Sequence, residues 1–158
     1  MSEKPQPTEW FRAGAGIVIV NDQGQVMAFE REDIPGAWQY PQGGMDEGEA
    51  PLTTAYRELE EETGILKEQV ELITSTHQLL AYELPESYRK PWSGRGQVQY
   101  WFLFRLIISP EQIDLTDKEE LAAWKWVDPV ELAETVVAFR RGVYRSLAQF
   151  VSLHLPKE

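Results

Sequence analysis

The sequence predicts an α/β protein in which helices cover both faces of a mixed β-sheet. Two kinds of segment lead to this prediction. Residues 10–20 and 97–108 are rich in β-branched and aromatic side chains, whereas residues 50–63 and 139–153 carry apolar side chains at helical spacing. The segment 97–108 is so continuously hydrophobic that we expect it in the centre of the sheet rather than at an exposed edge.

The first half of the chain supplies a turn and further strands. Residues 21–24, with the sequence Asn-Asp-Gln-Gly, form a turn, so that residues 25–31 should return as the second strand of a hairpin. A glycine-rich loop then leads to the helix at residues 50–63. After that helix, residues 70–84 resemble one strand with a bulge.

The second half of the chain continues this pattern. Residues 119–127 are expected to form a strand that carries Trp124 and Trp126 on one face. A short helix follows over residues 128–135 because an Asp-Pro pair is a typical helix start. The final helix, over residues 139–153, should direct its apolar stripe into the core.

Length and composition favour a single domain. The chain has 158 residues, of which 42% are apolar, enough for one core of ordinary size. We assign residues 10–158 to this domain and residues 1–9, which are polar and contain two prolines, to a flexible N-terminal segment. We expect a cytoplasmic protein without a membrane span, because no leader and no run of roughly 20 apolar residues is present.

The residue types that are missing or in excess exclude several functions. There is no cysteine, which excludes disulfides, zinc–thiolate sites and thiol nucleophiles. The formal charge of −11 disfavours binding along double-stranded DNA, because the protein's field repels polyphosphates. A polyanionic ligand should therefore be held at a few local contacts rather than along an extended basic track. The oligomeric state, monomer or homodimer, stays open.

The helix predicted at residues 50–63 concentrates acidic side chains. It has Pro51 in its first turn and Gly64 at the position of a C-terminal cap. At 100° per residue, Glu58, Glu61 and Glu62 fall along one edge of the apolar stripe, and Arg57 projects from the back of the helix. Like charges at this spacing repel each other, which a bound divalent cation would relieve. Oxygen-only ligands suit Mg²⁺ or Mn²⁺, and Mg²⁺ commonly also binds substrate phosphates.

These acidic residues belong to a longer pattern, G-x5-E-x7-R-E-U-x-E-E-x-G-U, where U is aliphatic. It is filled by Gly43, Glu49, Arg57, Glu58, Leu59, Glu61, Glu62, Gly64 and Ile65. The pattern resembles the Nudix box, and the chain is similar to the Nudix hydrolases. This resemblance implies a Nudix-type α/β/α sandwich and metal-dependent hydrolysis of nucleoside diphosphates linked to another group.

The resemblance extends beyond the box. Segments 38–44, 96–102, 120–127 and 136–144 are similar to the branch of bacterial RNA pyrophosphohydrolases and plant-type asymmetric diadenosine tetraphosphate hydrolases. The resemblance implies that about two or three Mg²⁺ ions, or Mn²⁺ in their place, bind the phosphates and activate a water. Its most specific implication is removal of pyrophosphate from 5′-triphosphate RNA.

Roles for the acidic residues follow from this resemblance. Glu58, Glu61, Glu62 and Glu120 would bind metal, with Glu58 as the candidate general base. Arg57 would orient a box glutamate, with Glu49 as its structural partner. Glu119 serves as a control for Glu120, because neighbouring side chains of a strand point in opposite directions. From the glycine-rich loop, a backbone carbonyl of Gln42 or Gly43 could add a neutral ligand, and we select Gly43.

Roles for the substrate-binding residues follow in the same way. Arg12 and Arg31 match positions that contact phosphates, although segment 30–33 is more acidic than in the RNA-processing relatives. Phe139 and Arg140 match positions that hold a base between them. Weaker candidates for substrate binding are Tyr82, Gln97 and Gln99.

Two alternatives to RNA pyrophosphohydrolysis stay open. Within the same class, the main substrate could be diadenosine tetraphosphate or another dinucleoside polyphosphate. From another class, the fold could serve as a non-catalytic module that senses nucleotides. Acyl transfer and P-loop nucleotide hydrolysis are disfavoured, because neither G-x-S-x-G nor a P-loop lysine motif is present.

Overall fold

The structure is a computed structural model, and it describes residues 10–155. The predicted N-terminal segment, residues 1–9, lies outside this range. The helices and strands follow one another as β1 (Phe11–Ile19), β2 (Val26–Arg31), β3 (Trp38–Gln39), β4 (Gln42–Gly44), α1 (Pro51–Thr63), β5 (Val70–Ser75), β6 (Leu80–Glu83), β7 (Gly96–Leu106), β8 (Leu121–Val127), α2 (Pro129–Thr135) and α3 (Arg141–Leu153). Short 3-10 turns connect several of them.

The strands form two sheets. The larger sheet has the order β4-β1-β7-β5, and β6 also pairs with β7. It is mixed, because β1 and β7 are parallel whereas the other pairs are antiparallel. The smaller sheet, β3-β2-β8, is antiparallel. The central position predicted for segment 97–108 is confirmed, since β7 pairs with β1, β5 and β6.

The predicted hairpin between β1 and β2 is wrong beyond its turn. Asn21 does form the turn, and its side-chain Oδ1 accepts hydrogen bonds from the backbone N–H groups of Gln23 and Gln25. Pairing stops at a single bridge between Val20 and Val26, after which β2 enters the smaller sheet. Long-range pairing of β1 with β7 and of β2 with β8 replaces the local pairing that a turn favours.

Alternate residues of β1 face two separate cores, as the two-residue period of a strand requires. Val18 and Val20 are buried in the core beneath α2 and α3, while Ile17 and Ile19 are buried in the core beneath α1. Helices therefore cover both faces, and the predicted α/β/α arrangement is confirmed. No helix within residues 10–155 is long and apolar enough to cross a lipid bilayer.

The helices near the C-terminus agree with the predictions apart from one boundary. Asp128 caps α2 by accepting hydrogen bonds from the N–H groups of Val130 and Glu131. The last helix begins at Arg141, because residues Ala138–Arg140 form a 3-10 turn before it. The expected inward stripe of α3 is present: Val143, Leu147 and Val151 are buried, and Phe150 packs against the same core.

Two strand predictions need correction. The segment 70–84 forms two strands, β5 and β6, with the predicted bulge in the pairing between β5 and β7. The strand β8 begins at Leu121 rather than at residue 119. Its two tryptophans do share a face, and the ring centroids of Trp124 and Trp126 lie 6.3 Å apart.

Candidate active site

Helix α1 is the element that presents the acidic residues. Pro51 occupies its first turn, and Gly64 ends it in the left-handed conformation with a φ of 78°, donating its N–H to the carbonyl of Glu60. Ala55 and Leu59 anchor the helix in the core on the side where Glu62 is also buried. The predicted boundaries of this helix are therefore confirmed.

Glu62 is a buried carboxylate that is only partly satisfied. The residue is 9% exposed, and its Oε2 atom has no hydrogen-bond partner within residues 10–155. Burial, together with the negative charges of Glu120 and Glu58, raises the pKa of Glu62 to about 9. The positive charge of Arg140 and a hydrogen bond from the backbone of Gln42 lower this pKa only in part, and Glu62 forms no ion pair within residues 10–155.

Glu58 is half-buried, and opposing effects act on the pKa of its carboxyl group. Burial raises its pKa, the neighbouring Arg57 guanidinium lowers it, and the charges of Glu61 and Glu120 raise it again. Glu58, Glu62 and Glu120 therefore belong to one electrostatically coupled group. The Nη1 of Arg57 donates to Glu58 Oε1 at 2.9 Å.

Arg57 does not project from the back of α1, and that prediction is wrong. Its long side chain reaches to the loop before the helix, where Nε and Nη2 donate to the Glu49 carboxylate at 2.8 and 2.9 Å. The same Nη2 donates to the carbonyl of Gly44 at 2.8 Å. Hydrogen bonds from Arg57 and Thr54 lower the pKa of Glu49 to about 2. The predicted contacts of Arg57 with a box glutamate and with Glu49 are both present.

Glu61 differs from the other two helix glutamates. Its side chain is 57% exposed, and Arg57 Nη1 approaches it at 3.3 Å. Within residues 10–155, no three acidic or histidine side chains stand together in an arrangement ready for a metal ion. The predicted convergence of Glu58, Glu61 and Glu62 is thus not preformed, because Glu61 stays in solvent and Glu62 turns into the protein.

The residues present nevertheless fit a hard divalent cation. The unpaired, buried Oε2 of Glu62 needs a positive partner, and the charges of Glu58 and Glu120 disfavour further negative charge beside it. All the candidate donors in the coupled group are carboxylate oxygens, the ligand type preferred by Mg²⁺ and Mn²⁺.

The register of β4 corrects the prediction for Gly43. On either side of the Ala15–Gly43 pair, Ile17 N–H bonds to Pro41 and Met45 N–H bonds to Ala13. Antiparallel ladders alternate bonded and non-bonded pairs, so the Gly43 carbonyl points toward β1. The carbonyls of Gln42 and Gly44 point the other way, and the Gly44 carbonyl meets Arg57. Of the two candidates that the sequence offered, the Gln42 carbonyl is the one directed away from the ladder.

Gly43 is required for a different reason. A Cβ atom at this position would lie 1.9 Å from the carboxyl carbon of Glu58. A side chain at this position would displace the Glu58 carboxylate from its place against β4.

A cavity of about 540 Å³ opens beside the coupled carboxylates. Its lining residues are Arg31, Asp33, Gln39, Gln42, Glu62, Glu119, Glu120 and Arg140. Both Glu119 and Glu120 line it, so the strand alternation that was expected to separate the two side chains is absent here. The physical reason is that they precede β8 in a bend, where strand alternation does not apply. Glu120 is nevertheless the one whose charge raises the pKa of Glu58 and Glu62.

A second cavity of about 460 Å³ adjoins the first, and Arg31, Gln39 and Arg140 line both. The Phe139 ring contacts Tyr82 at 5.7 Å and Tyr88 at 5.5 Å between centroids. Arg140 donates to Gln39 Oε1 at 2.9 Å, and its guanidinium carbon lies 5.7 Å from the centroid of the Phe139 ring. Phe139 and Arg140 thus lie side by side at a boundary between the two cavities.

Sequence reasoning missed two residues of this second cavity. Tyr88 and Trp38 both line it, and the Tyr88 side chain is largely exposed. Residues 85–96 form a long connection, a type of loop that often carries function, and its aromatic residues could have singled out Tyr88.

Tyr82, Gln97 and Gln99 form an interior chain of polar groups. Gln42 donates to the Tyr82 hydroxyl at 3.3 Å, and Gln99 donates to Gln42 Oε1 at 2.7 Å and to Gln97 Oε1 at 3.2 Å. The indole N–H of Trp101 completes the chain by donating to Gln99 Oε1 at 3.2 Å. The chain holds the Gln42 side chain at the cavity wall.

The two predicted phosphate-binding arginines are held differently. Arg12 lies over the backbone of Gly44, where an added Cβ would come within 2.2 Å of its Nη2. Arg31 lines both cavities, and Asp33 binds its guanidinium.

Comparison with protein families matches the NUDIX domain over residues 10–147. Among curated proteins, an RNA pyrophosphohydrolase of Cereibacter sphaeroides is 41% identical over 150 residues, covering 92% of this chain and 93% of that protein. An RNA pyrophosphohydrolase of Rhodospirillum rubrum is 43% identical over 152 residues, covering 93% and 91%. The chloroplastic Nudix hydrolase 26 of Arabidopsis thaliana is 34% identical, covering 98% of this chain and 75% of that protein.

Solved structures of similar fold are hydrolases of related type. The dihydroneopterin triphosphate pyrophosphohydrolase of E. coli superposes with a TM-score of 0.70 at 26% identity, covering 89% of this chain and 98% of that one. A binary complex of the C. elegans Ap4A hydrolase superposes with a TM-score of 0.65 at 24% identity, covering 89% and 98%, and shows the shared fold. The chain therefore belongs to the Nudix family and is a hydrolase that acts on pyrophosphate bonds.

Proposed function

We propose that this hydrolase removes pyrophosphate from the 5′-triphosphate end of RNA. The observation that carries the proposal is the junction of the two cavities. One is lined by the buried carboxylate of Glu62 together with Glu120, and the other is lined by aromatic side chains. Arg31 and Arg140 line both, so a triphosphate beside the carboxylates can continue into a nucleoside beside Phe139 and Tyr88. The names of the bacterial relatives support the same substrate.

The reaction is hydrolysis of the α–β anhydride bond. Water attacks phosphorus in line, the bond to the leaving oxygen breaks, and the products are 5′-monophosphate RNA, pyrophosphate and one proton. Glu58 would accept the proton from the attacking water, and Arg57 would hold Glu58 in place through its bond to Oε1. Arg12 and Arg31 would bind phosphate oxygens, and Arg140 would hold the base together with Phe139.

Nudix hydrolases are generally dependent on divalent metal ions. In our proposal, Glu58, Glu61, Glu62, Glu120 and the Gln42 carbonyl would hold about two or three Mg²⁺ or Mn²⁺ ions, which would supply charge neutralisation and activation of water. Glu61 would have to move from solvent toward Glu58 and Glu62 to join this set. The domain that carries the activity is formed by residues 10–158, and we place it in the cytoplasm, where a chain without cysteine is compatible with the reducing environment.

The proposal is tested by steady-state kinetics with Mg²⁺ on a 5′-triphosphate RNA oligonucleotide and on diadenosine tetraphosphate. We expect a higher kcat/KM for the RNA. A higher value for the dinucleotide would establish the alternative, dinucleoside polyphosphate hydrolysis, which the same pair of cavities accommodates.

A second experiment separates catalysis from nucleotide sensing. The Glu58→Gln variant keeps the size of the side chain and removes its ability to accept a proton. We expect its turnover to fall by at least about 100-fold, within the range of general base catalysis. Unchanged Mg²⁺-dependent turnover would contradict the role of Glu58, and no turnover in either protein would favour the non-catalytic module.

A further inference from the structure

Arg31 is held in a fixed orientation by a neighbour two residues away. Its Nε donates to Asp33 Oδ1 at 2.9 Å, and its Nη2 donates to Asp33 Oδ2 at 2.6 Å. This is a two-point contact along one edge of the planar guanidinium. Both side chains line the cavity that also contains Glu62 and Glu120.

The backbone on either side of the pair is itself constrained. Arg31 donates its backbone N–H to the carbonyl of Ala37, and Glu32 donates its N–H to the carbonyl of Glu120. The turn closes where the N–H of Gly36 donates to a carboxylate oxygen of Glu30. These contacts hold Asp33 beside Arg31 at the entrance of the cavity.

The edge that Asp33 occupies leaves the other edge of the guanidinium available. A guanidinium has five N–H donors, and Asp33 takes the one on Nε and one on Nη2. Of the remaining three, one on Nη1 and one on Nη2 point along the distal edge of the side chain. A phosphate needs two of these donors for a two-point contact.

We propose that Asp33 is a positioning residue that fixes Arg31 so that its distal edge receives a phosphate of the substrate. This inference rests on the proposed function, in which Arg31 binds phosphate. Ordering a long side chain on binding costs free energy, and Asp33 meets that cost before the substrate arrives. The negative charge of Asp33 also repels the phosphate. Weaker phosphate binding after removal of Asp33 would therefore indicate positioning, and tighter binding would indicate that Asp33 competes with the phosphate for Arg31.

The test compares Asp33→Asn with Glu32→Gln, which removes the same charge from the next residue without contacting Arg31. If Asp33 positions Arg31, Asp33→Asn should raise KM for 5′-triphosphate RNA and weaken binding of methylenediphosphonate by about 2- to 10-fold, the cost of ordering one side chain. We expect kcat to change less than KM. Glu32→Gln should slightly lower, or leave unchanged, the KM for the RNA and the Kd for methylenediphosphonate.

A double-mutant cycle shows whether Asp33 acts through Arg31. In an Arg31→Gln background, Asp33→Asn should cause no further loss of diphosphonate binding. Tighter binding by Asp33→Asn would overturn the proposal in favour of competition. An equal loss with and without Arg31 would also overturn it, because Asp33 would then act on the fold.

Diphosphonate binding keeps this inference separate from the proposed function. If the wild-type protein binds the diphosphonate but releases no pyrophosphate from 5′-triphosphate RNA, the proposed function fails. The comparison of Asp33→Asn with wild type still tests the role of Asp33. Circular dichroism melting of each variant confirms that the compared proteins are folded. A variant that does not fold is replaced by Asp33→Ser, which also removes the two-point contact.

Discussion

Glu62 is the residue in which stability and function conflict most clearly. It is buried, one of its oxygens is unpaired within residues 10–155, and its pKa is raised to about 9. In the unfolded chain the same group ionises near 4.5. Between these values the folded protein retains a proton that the unfolded chain releases, so the free energy of unfolding falls as the pH rises.

This difference predicts the behaviour of Glu62→Gln. In the presence of EDTA, the wild-type Tm should fall between about pH 5 and pH 9 more steeply than the Tm of Glu62→Gln. The variant should be the more stable protein at pH 8.5, and it should lose its Mg²⁺-dependent activity. Thermal melts across this pH range check the prediction, with Glu60→Gln, an exposed change on the same helix, as the control. Parallel curves for wild type and Glu62→Gln would contradict it.

At the scale of elements, Arg57 joins α1 to the loop before it and to β4. It bonds to Glu49, Gly44 and Glu58 at once. Helix, loop and strand therefore keep one relative position, and the carboxylate of Glu58 is held with them. A change in any partner of Arg57 should affect both stability and activity.

Glu49→Gln tests this connection. The pKa of Glu49 is lowered to about 2, so its ionised form stabilises the fold above its usual pKa near 4.5, and this contribution is lost as the pH falls through about 2. The variant should have a lower Tm and a lower kcat at pH 7, and its Tm difference from wild type should shrink toward pH 3. Glu47→Gln, in the same loop and exposed, is the control. A Tm difference independent of pH would speak against the ion pair.

The contact between β4 and α1 gives a second prediction at this scale. Gly43→Ala places a Cβ 1.9 Å from the Glu58 carboxyl carbon, so Glu58 must shift. A displacement of about 1 Å in an active site can cost roughly 100-fold in rate, and we expect a loss of that order in kcat.

The matched control is Gly142→Ala in α3, where an added Cβ meets nothing within 4 Å. This change should leave kcat unaltered and stabilise the fold by about 0.5–1 kcal/mol through helix propensity. Kinetics and thermal melts of the two variants check both statements. A Gly43→Ala enzyme as active as Gly142→Ala would show that Glu58 does not require its present position.

At the scale of the whole molecule, the charge of −11 opposes the approach of a polyphosphate. Raising the ionic strength from about 10 to about 150 mM shortens the Debye length from about 30 to about 8 Å. We therefore expect kcat/KM at saturating Mg²⁺ to rise with added KCl over this range, with little change in kcat. A steady fall would indicate that the arginines of the site outweigh the overall charge.

Much of the architecture was predictable because it depends on local patterns. The boundaries of α1 follow from Pro51 and Gly64, and the central place of β7 follows from its unbroken hydrophobicity. The predictions that were wrong depend on contacts between distant segments or on the path of a long side chain, which local patterns do not specify. Strand β2 leaves β1 for a second sheet, and Arg57 folds toward Glu49. The carbonyl of Gly43 faces β1 because of a register with a strand about 30 residues earlier in the chain.

By itself, the sequence determined the helix that carries the glutamates, the family pattern and the types of atom available for metal and phosphate. Only the tertiary structure decided that Glu62 is buried with an unpaired oxygen, that Glu119 and Glu120 enter the same cavity, and that Asp33 holds Arg31. Spacing along a chain specifies which residues share a face of one element. The packing of separate elements specifies which of those faces contact each other, and the chemistry of the site depends on these contacts.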